Sequence, residues 1–83
     1  MNTVDAQSLV RTLLSAKTAG KMNNLIRGLL TEGEIEEFSR RIEIVKMIKK
    51  GIPHHKIALA LGVGVATVTR GAKEIKMGRF KHV

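Results

Sequence analysis

The side chains with the clearest chemical meaning follow a glycine pair, Gly62 and Gly64, in the second half of the chain. Downstream of the pair, helical spacing places small, hydroxyl and basic groups on one face. Alkyl groups there can contact thymine methyls, a threonine hydroxyl can hydrogen-bond a base edge or a water, and arginine or lysine can reach guanine or phosphate. The chemistry open to this face is contact with duplex DNA, through Val65, Ala66, Thr69, Arg70 and Lys73.

Two short helices must position that face. Pro53 suits a helix start, so we predict one helix from His54 to Leu61, a tight turn, and a second helix from about Val65 to Lys76. A small Ala58 lets the helices approach, and Gly62 accepts the positive φ of the turn. The pattern is that of a helix-turn-helix, with Ile57, Ala58, Leu61, Gly62, Val63 and Val68 at its fixed positions. The alternative is an ordinary helical hairpin of a bundle.

Charge is distributed unevenly along the chain. The total of 15 Lys plus Arg against 7 Asp plus Glu gives +8. Residues 1–43 hold six basic and six acidic side chains, whereas residues 44–83 hold nine basic side chains against Glu74 alone. A polyanion is the natural partner of the second half.

Length and composition limit the fold. A chain of 83 residues forms one domain. Without cysteine it has no disulfide, no thiolate metal site and no thiol catalysis. Aromatic residues make up only 2% of a chain that is 43% hydrophobic, so we predict an all-α fold with an aliphatic core of about five helices. A shared core would stabilise so small a chain, which favours a homodimer.

The first half is predicted to contain three helices. The first follows a cap at Thr3 or Asp5 and is closed by Gly20. The second is a short helix whose apolar positions are Met22, Leu25, Ile26, Leu29 and Leu30. Thr31 and Glu34 have the spacing of a capping box, which starts a third helix that Gly51 stops. Its predicted buried stripe is Ile35, Phe38, Ile42, Val45 and either Met47 or Ile48.

These elements predict a single domain, 1–83, with three parts. Residues 1–51 would be a helical dimerisation core, residues 52–76 a helix-turn-helix reading head, and residues 77–83 a loose tail.

The chain resembles the Trp repressor family in Leu30-Thr31, in Arg40-Arg41-Ile42-Glu43-Ile44-Val45 and in the run from Leu61 to Gly71. The resemblance covers roughly residues 22–76. It implies an intertwined all-helical homodimer that binds an operator, with L-tryptophan as a possible corepressor and no other cofactor. The ending Gly78-Arg79-Phe80 is more similar to a short branch of the family, the YerC/YecD-like proteins.

The resemblance also implies a ligand site. The positions retained from the family are Leu30, Thr31, Arg41, Arg70 and Gly71. Two guanidinium planes can sandwich an indole, and their charge can receive a carboxylate. Two positions depart: Gly28 replaces a leucine, and Glu74 replaces a small hydroxyl residue. Glu74 would either pair with a ligand ammonium or bind Arg41 or Arg70 itself.

Some of these residues have a purely structural alternative. Thr31 is explained by its role as a helix cap, and Arg41 by an ion pair with Glu37 one turn earlier. Arg70 can serve phosphate instead of a ligand.

For the DNA side, the resemblance implies that Val65, Ala66, Thr67 and Thr69 read bases and that Lys76 contacts the backbone. His55, Ala58 and Glu43 stand where the family has basic residues, so the operator should differ. Charge would come instead from a different set of lysines: Lys46, Lys49, Lys50, Lys56 and Lys73. Adjacent His54 and His55 point to different helix faces, which favours phosphate contact or plain surface over a metal site.

The predicted function is a sequence-specific DNA-binding regulator, a repressor controlled by L-tryptophan or a related amino acid. Two alternatives stay open: a ligand-independent regulator of the same fold, and a basic helical module that binds RNA or a protein. No catalytic constellation favours an enzyme. No stretch predicts a membrane segment or a signal peptide, so we expect a cytoplasmic protein.

Overall fold

The computed structural model describes residues 4–83, which contain five α-helices and no strand. They are α1 (Ala6–Ser15), α2 (Ala19–Leu29), α3 (Glu32–Lys49), α4 (His54–Leu61) and α5 (Val65–Lys76). The predicted all-α class with five helices is confirmed. By their internal contacts the residues form two units, the first ending at Ile35 and the second running from Glu36 to Val83. The predicted division into a dimerisation core and a reading head stays a prediction.

The first two helices begin at side-chain caps. The carboxylate of Asp5 accepts from the backbone N–H of Gln7 at 2.9 Å, and Thr18 Oγ1 accepts from that of Lys21 at 3.1 Å. Of the two predicted caps for α1, Asp5 acts, whereas Thr3 lies outside the described residues. The prediction that Gly20 closes the first helix is wrong, because Thr18 caps a new helix that already contains Gly20.

The first unit has amphipathic helices but no buried residue among residues 4–35. Large aliphatic side chains on α1 and α2 remain at least 46% exposed: Leu9, Val10, Leu14 and Leu29. Packing within the chain therefore leaves much of this apolar surface in contact with solvent.

The start of α3 confirms the capping box. Glu34 N–H donates to Thr31 Oγ1 at 3.2 Å, and Thr31 N–H donates to Glu34 Oε1 at 2.9 Å. Two backbone donors that have no partner inside the helix are satisfied reciprocally.

The second unit has a small core of fully or nearly buried side chains. These side chains, on α3, α4 and α5, are Ile44, Val45, Ile57, Ala58 and Val68. Around the cluster formed by four of them, Ile44, Ile57, Ala58 and Val68, pack Met47, Ile48, Ile52, Leu61 and Val63.

The predicted buried stripe of α3 is wrong in part. Val45 is buried, but Phe38 and Ile42 are 43% and 42% exposed, and the buried Ile44 was not among the predicted positions. The second half of α3 is apolar on more than one face, so periodicity alone did not identify the face that packs on α4 and α5.

Helices α3, α4 and α5 end in the same way. Each is followed by a glycine of positive φ, Gly51 at 80°, Gly62 at 65° and Gly78 at 93°. The N–H of the next residue donates to a carbonyl five residues earlier, at 3.2 Å (Ile52 to Met47), 3.1 Å (Val63 to Ala58) and 3.0 Å (Arg79 to Glu74). This arrangement satisfies carbonyls that have no partner inside the helix, and glycine adopts its backbone without strain.

Residues 77–83, predicted to be loose, have defined contacts. Lys49 Nζ, at the end of α3, donates to the backbone oxygen of Phe80 and, at 3.0 Å, to that of Val83. Phe80 takes a positive φ of 58°.

Candidate nucleic-acid interface

Helices α4 and α5 form a packed pair joined by the three residues 62–64. Ile57 and Val68 have no exposed surface, and Ala58 keeps 7%. Gly62 takes the left-handed conformation that the turn requires, with φ 65° and ψ 37°. The bounds of both helices agree with the prediction from sequence, His54 to Leu61 and Val65 to Lys76.

The opposite face of α5 is open. Val65 is 50% exposed, although it follows the turn directly. The other predicted DNA-contacting positions on α5 are exposed as well: Ala66, Thr67, Thr69, Arg70, Lys73 and Lys76. Since Val68 anchors the inner face, alkyl, hydroxyl and basic groups project together from the outer one.

The start of α4 presents a second set of predicted contacts. His55 and Lys56 are exposed, and His54 is half-buried. Pro53 precedes them as the N-cap residue, with φ −58°. Backbone N–H groups at a helix start, together with a lysine, suit a phosphate oxygen.

The one carboxylate of residues 44–83 is partly neutralised. Glu74 Oε2 lies 3.7 Å from Arg79 Nε. Both side chains keep substantial solvent contact, so the pair contributes little to stability. It does, however, place a cation beside a negative charge that would otherwise repel a polyanion.

Gly71 allows α5 to approach α3 closely. A Cβ built on Gly71 would lie 3.2 Å from Ile44 Cγ2 and 3.7 Å from Ile48 Cδ1. Gly71, which the resemblance implies as a ligand-binding position, therefore has a steric reason to be glycine even without a ligand.

Arg41, the next implied ligand-binding residue, has partners on its own helix. Its Nη2 donates to Glu37 Oε1 at 2.9 Å, and its guanidinium carbon lies 5.6 Å from the centroid of the Phe38 ring. The structural alternative, an ion pair with Glu37, is thus present. The alternative in which Glu74 binds Arg41 or Arg70 is not what the chain shows, because Glu74 pairs with Arg79.

Of the remaining implied ligand residues, Arg70 is exposed on α5, whereas Leu30 and Thr31 lie in the first unit. Thr31 caps α3, as its structural alternative requires, and Leu30 is half-buried after α2.

Two contacts in the second unit were not predicted. The Lys49 bonds to Phe80 and Val83 end on backbone oxygens, which carry no side-chain signature in a sequence. The Glu74–Arg79 pair had a signal, since Gly78 marks a chain reversal that brings Arg79 back toward α5.

Residues 4–83 lack two further kinds of site. No group of three or more His, Asp or Glu side chains in that range is placed to hold a metal ion. No helix in the same range combines the length and the apolar character that crossing a bilayer requires.

Comparison with known proteins gives concordant matches. The family model described as Trp repressor protein matches residues 5–82, well beyond the region where the sequence pattern was recognised. A Trp operon repressor homolog of Vibrio parahaemolyticus is 34% identical over 73 residues, which is 87% of this chain and 71% of the relative. A homolog of the same name from Photobacterium profundum is 38% identical over 71 residues, 84% of this chain and 69% of the relative.

The short branch is represented as well. The uncharacterized protein YerC of Bacillus subtilis is 27% identical over 74 residues, covering 89% of this chain and 71% of the relative. No solved structure matches significantly. With its five helices, its capped α4–α5 pair and a family match over nearly its whole length, the chain belongs to the Trp repressor family of transcription regulators.

Proposed function

We propose that the chain binds duplex DNA sequence-specifically through α5 and thereby regulates transcription. The observation that carries this proposal is the division of α5 into two faces. Val68 is buried against α4, while Val65, Ala66 and Thr69 are exposed beside Arg70 and Lys73. Apolar and hydroxyl groups supply base contacts, and basic groups supply phosphate contacts, so one helix face holds both components of a specific interface.

The active form is a homodimer. Each unit has uncovered apolar side chains, on α1 and α2 in the first and at Phe38 and Ile42 of α3 in the second, and a second copy would cover them. Two copies related by a two-fold axis would present two α5 helices to successive major grooves about 34 Å apart. The expected operator is therefore pseudo-palindromic.

We further propose that the regulator is a repressor controlled by L-tryptophan or a related amino acid. The ligand would act through different affinities for competent and incompetent arrangements of the α4–α5 pair. Arg41 supports this role with a specific feature. Its guanidinium contacts the carboxylate of Glu37 and the ring of Phe38, and an aromatic amino acid carries the same two kinds of group beside its ammonium. Such a ligand would compete with Glu37 and Phe38 for Arg41.

The same contacts favour a second candidate, a ligand-independent regulator. Arg41 and Glu74 each have a partner within the chain, on Glu37 and Arg79. In this case operator affinity does not change with tryptophan. Both candidates act on DNA, and the proposed location of the protein is the cytoplasm.

Substitution of Thr69 tests the DNA proposal. Thr69→Ala should cost about 1–3 kcal/mol on the preferred duplex and little on random duplex, because it removes a base contact. Lys73→Ala is the control; it should weaken both complexes and reduce the salt dependence, because it removes a phosphate contact. The preferred duplex is first selected from a random pool. An unchanged sequence preference in the Thr69 variant contradicts the docking of α5.

Titration with L-tryptophan tests the ligand proposal. The chain contains no Trp and no Tyr, so indole fluorescence reports the ligand alone. We expect saturable binding that Glu37→Gln strengthens, with Glu36→Gln as a matched loss of one charge on the same turn. Absence of binding by wild type and by the Glu37 variant at millimolar ligand, with sequence-specific DNA binding retained, selects the ligand-independent candidate.

A further inference from the structure

Lys49 makes the longest-range side-chain hydrogen bonds among the described residues. From the last turn of α3, its ammonium donates to the backbone oxygens of Phe80 and of Val83, the second at 3.0 Å. The acceptors are 31 and 34 residues further along the chain. These bonds therefore join α3 to the segment that follows α5.

The segment after α5 is shaped to meet Lys49. Gly78, at φ 93°, turns the chain back, and Arg79 N–H bonds Glu74 O at 3.0 Å. Phe80 then takes φ 58°, a conformation uncommon outside glycine, which persists only where the surroundings hold it. The two carbonyl bonds from Lys49 provide such a restraint.

A second contact holds the middle of α5 to α3. A Cβ built on Gly71 would lie 3.2 Å from Cγ2 of Ile44, a fully buried side chain of α3. Helix α5 is thus restrained at two separate places, by the apolar contact at Gly71 in its middle and by the Lys49 bonds to the segment that follows it. Two separated restraints limit rotation of a helix, whereas one restraint acts as a pivot.

We infer that Lys49 is a positioning residue for DNA recognition, because it ties the segment after α5 to α3 and so helps to set the direction of α5. The inference rests on the proposed function, in which α5 reads base pairs. It also gives Lys49 a role that differs from that of the neighbouring lysine, Lys50. The Lys49 ammonium is directed at two backbone oxygens, whereas that of Lys50, one residue later, is free of such bonds among residues 4–83.

The test compares Lys49→Ala with Lys50→Ala, a matched loss of one exposed lysine, and with Lys49→Arg, which keeps donors at the same place. Affinity is measured for the selected duplex and for random duplex at several salt concentrations, with hydrogen exchange of residues 79–83 in parallel. We expect Lys50→Ala to weaken both complexes equally, by roughly threefold. Lys49→Ala should weaken the selected complex about tenfold more than the random one and should accelerate exchange in the segment.

Lys49→Arg should restore most of the preference and the slow exchange. Equal effects of the two alanine variants on both duplexes overturn the inference, as does unchanged exchange in Lys49→Ala. Faster exchange without a loss of preference shows a purely structural tie and also overturns the positioning role. If wild type itself prefers no duplex, the proposed function fails, and the exchange comparison still decides whether the tie exists.

Discussion

The two units of the chain differ in how far they bury their own apolar side chains. Residues 36–83 enclose their own small core, in which Ile44, Ile57 and Val68 are at most 1% exposed. Residues 4–35 bury none of their side chains, although α1 and α2 are amphipathic. The comparison teaches that contacts within one chain organise the α4–α5 pair, whereas such contacts leave much of the apolar surface of α1 and α2 exposed.

The helix ends show the same contrast. In the second unit α3, α4 and α5 each end at a glycine of positive φ. In the first unit α1 and α2 end at Ala16 and Leu30, both in extended conformation. A glycine in the left-handed conformation therefore fixes the change of direction after α3, α4 and α5, whereas none follows α1 or α2 among the described residues.

The largest effect is expected in the core of the second unit. Ile57→Ala should lower the free energy of unfolding by about 2–5 kcal/mol, because it removes a fully buried side chain and leaves a cavity. Leu59→Ala on the same helix, where the side chain is 82% exposed, should change it by less than about 0.5 kcal/mol. Chemical denaturation measures both. Similar losses in the two variants would show that α4 packs by a different face.

A charge on α1 tests whether a second copy covers the first unit. Leu14 is 63% exposed in the chain, so Leu14→Asp would be nearly harmless to an isolated molecule. In the proposed dimer it would place a charge in an apolar interface and raise the dissociation constant about 100-fold or more. Sedimentation measures the change, and Thr12→Asp, nearly opposite on the helix, is the control. An unaltered dimer after Leu14→Asp excludes this face from the interface.

The smallest effects should have opposite signs at two glycines. Gly62→Ala should destabilise the protein by roughly 1–2 kcal/mol, because alanine is strained at φ 65°. Gly28→Ala, inside α2 with open space around its Cβ, should stabilise by about 0.5–1 kcal/mol. Thermal unfolding at fixed protein concentration compares them. Destabilisation by Gly28→Ala would indicate that a second copy packs closely at this position.

The parts that sequence predicted well are those in which local signals agree. The bounds of α4 and α5 follow from Pro53, the Gly62 turn and the periodicity around Val68, and the capping box at Thr31 follows from its spacing. The exposed outer face of α5 follows once Val68 is placed inside.

The features that the sequence did not predict are of two kinds. In some, two local signals compete for the same segment, and in others the hydrogen-bond acceptor is a backbone oxygen, which has no side-chain signature. Gly20 is a residue type that commonly ends helices, but Thr18 caps the next helix two residues earlier, so Gly20 lies inside α2. Phe38 and Ile42 have the spacing of buried positions but stay exposed, because the core packs on Ile44, which lies on another face of α3. The bonds from Lys49 end on backbone oxygens, which every residue carries.

The contact at Gly71 links two positions through a shared volume. A Cβ on Gly71 would lie only 3.2 Å from Ile44 Cγ2, so an added methyl group there would require the Ile44 side chain to shift by a few tenths of an ångström or the two helices to move apart. The position of α5 against α3 therefore depends on how this volume is filled. The size of one aliphatic side chain inside the protein thus bears on the angle at which the proposed DNA-reading face of α5 would meet a base pair.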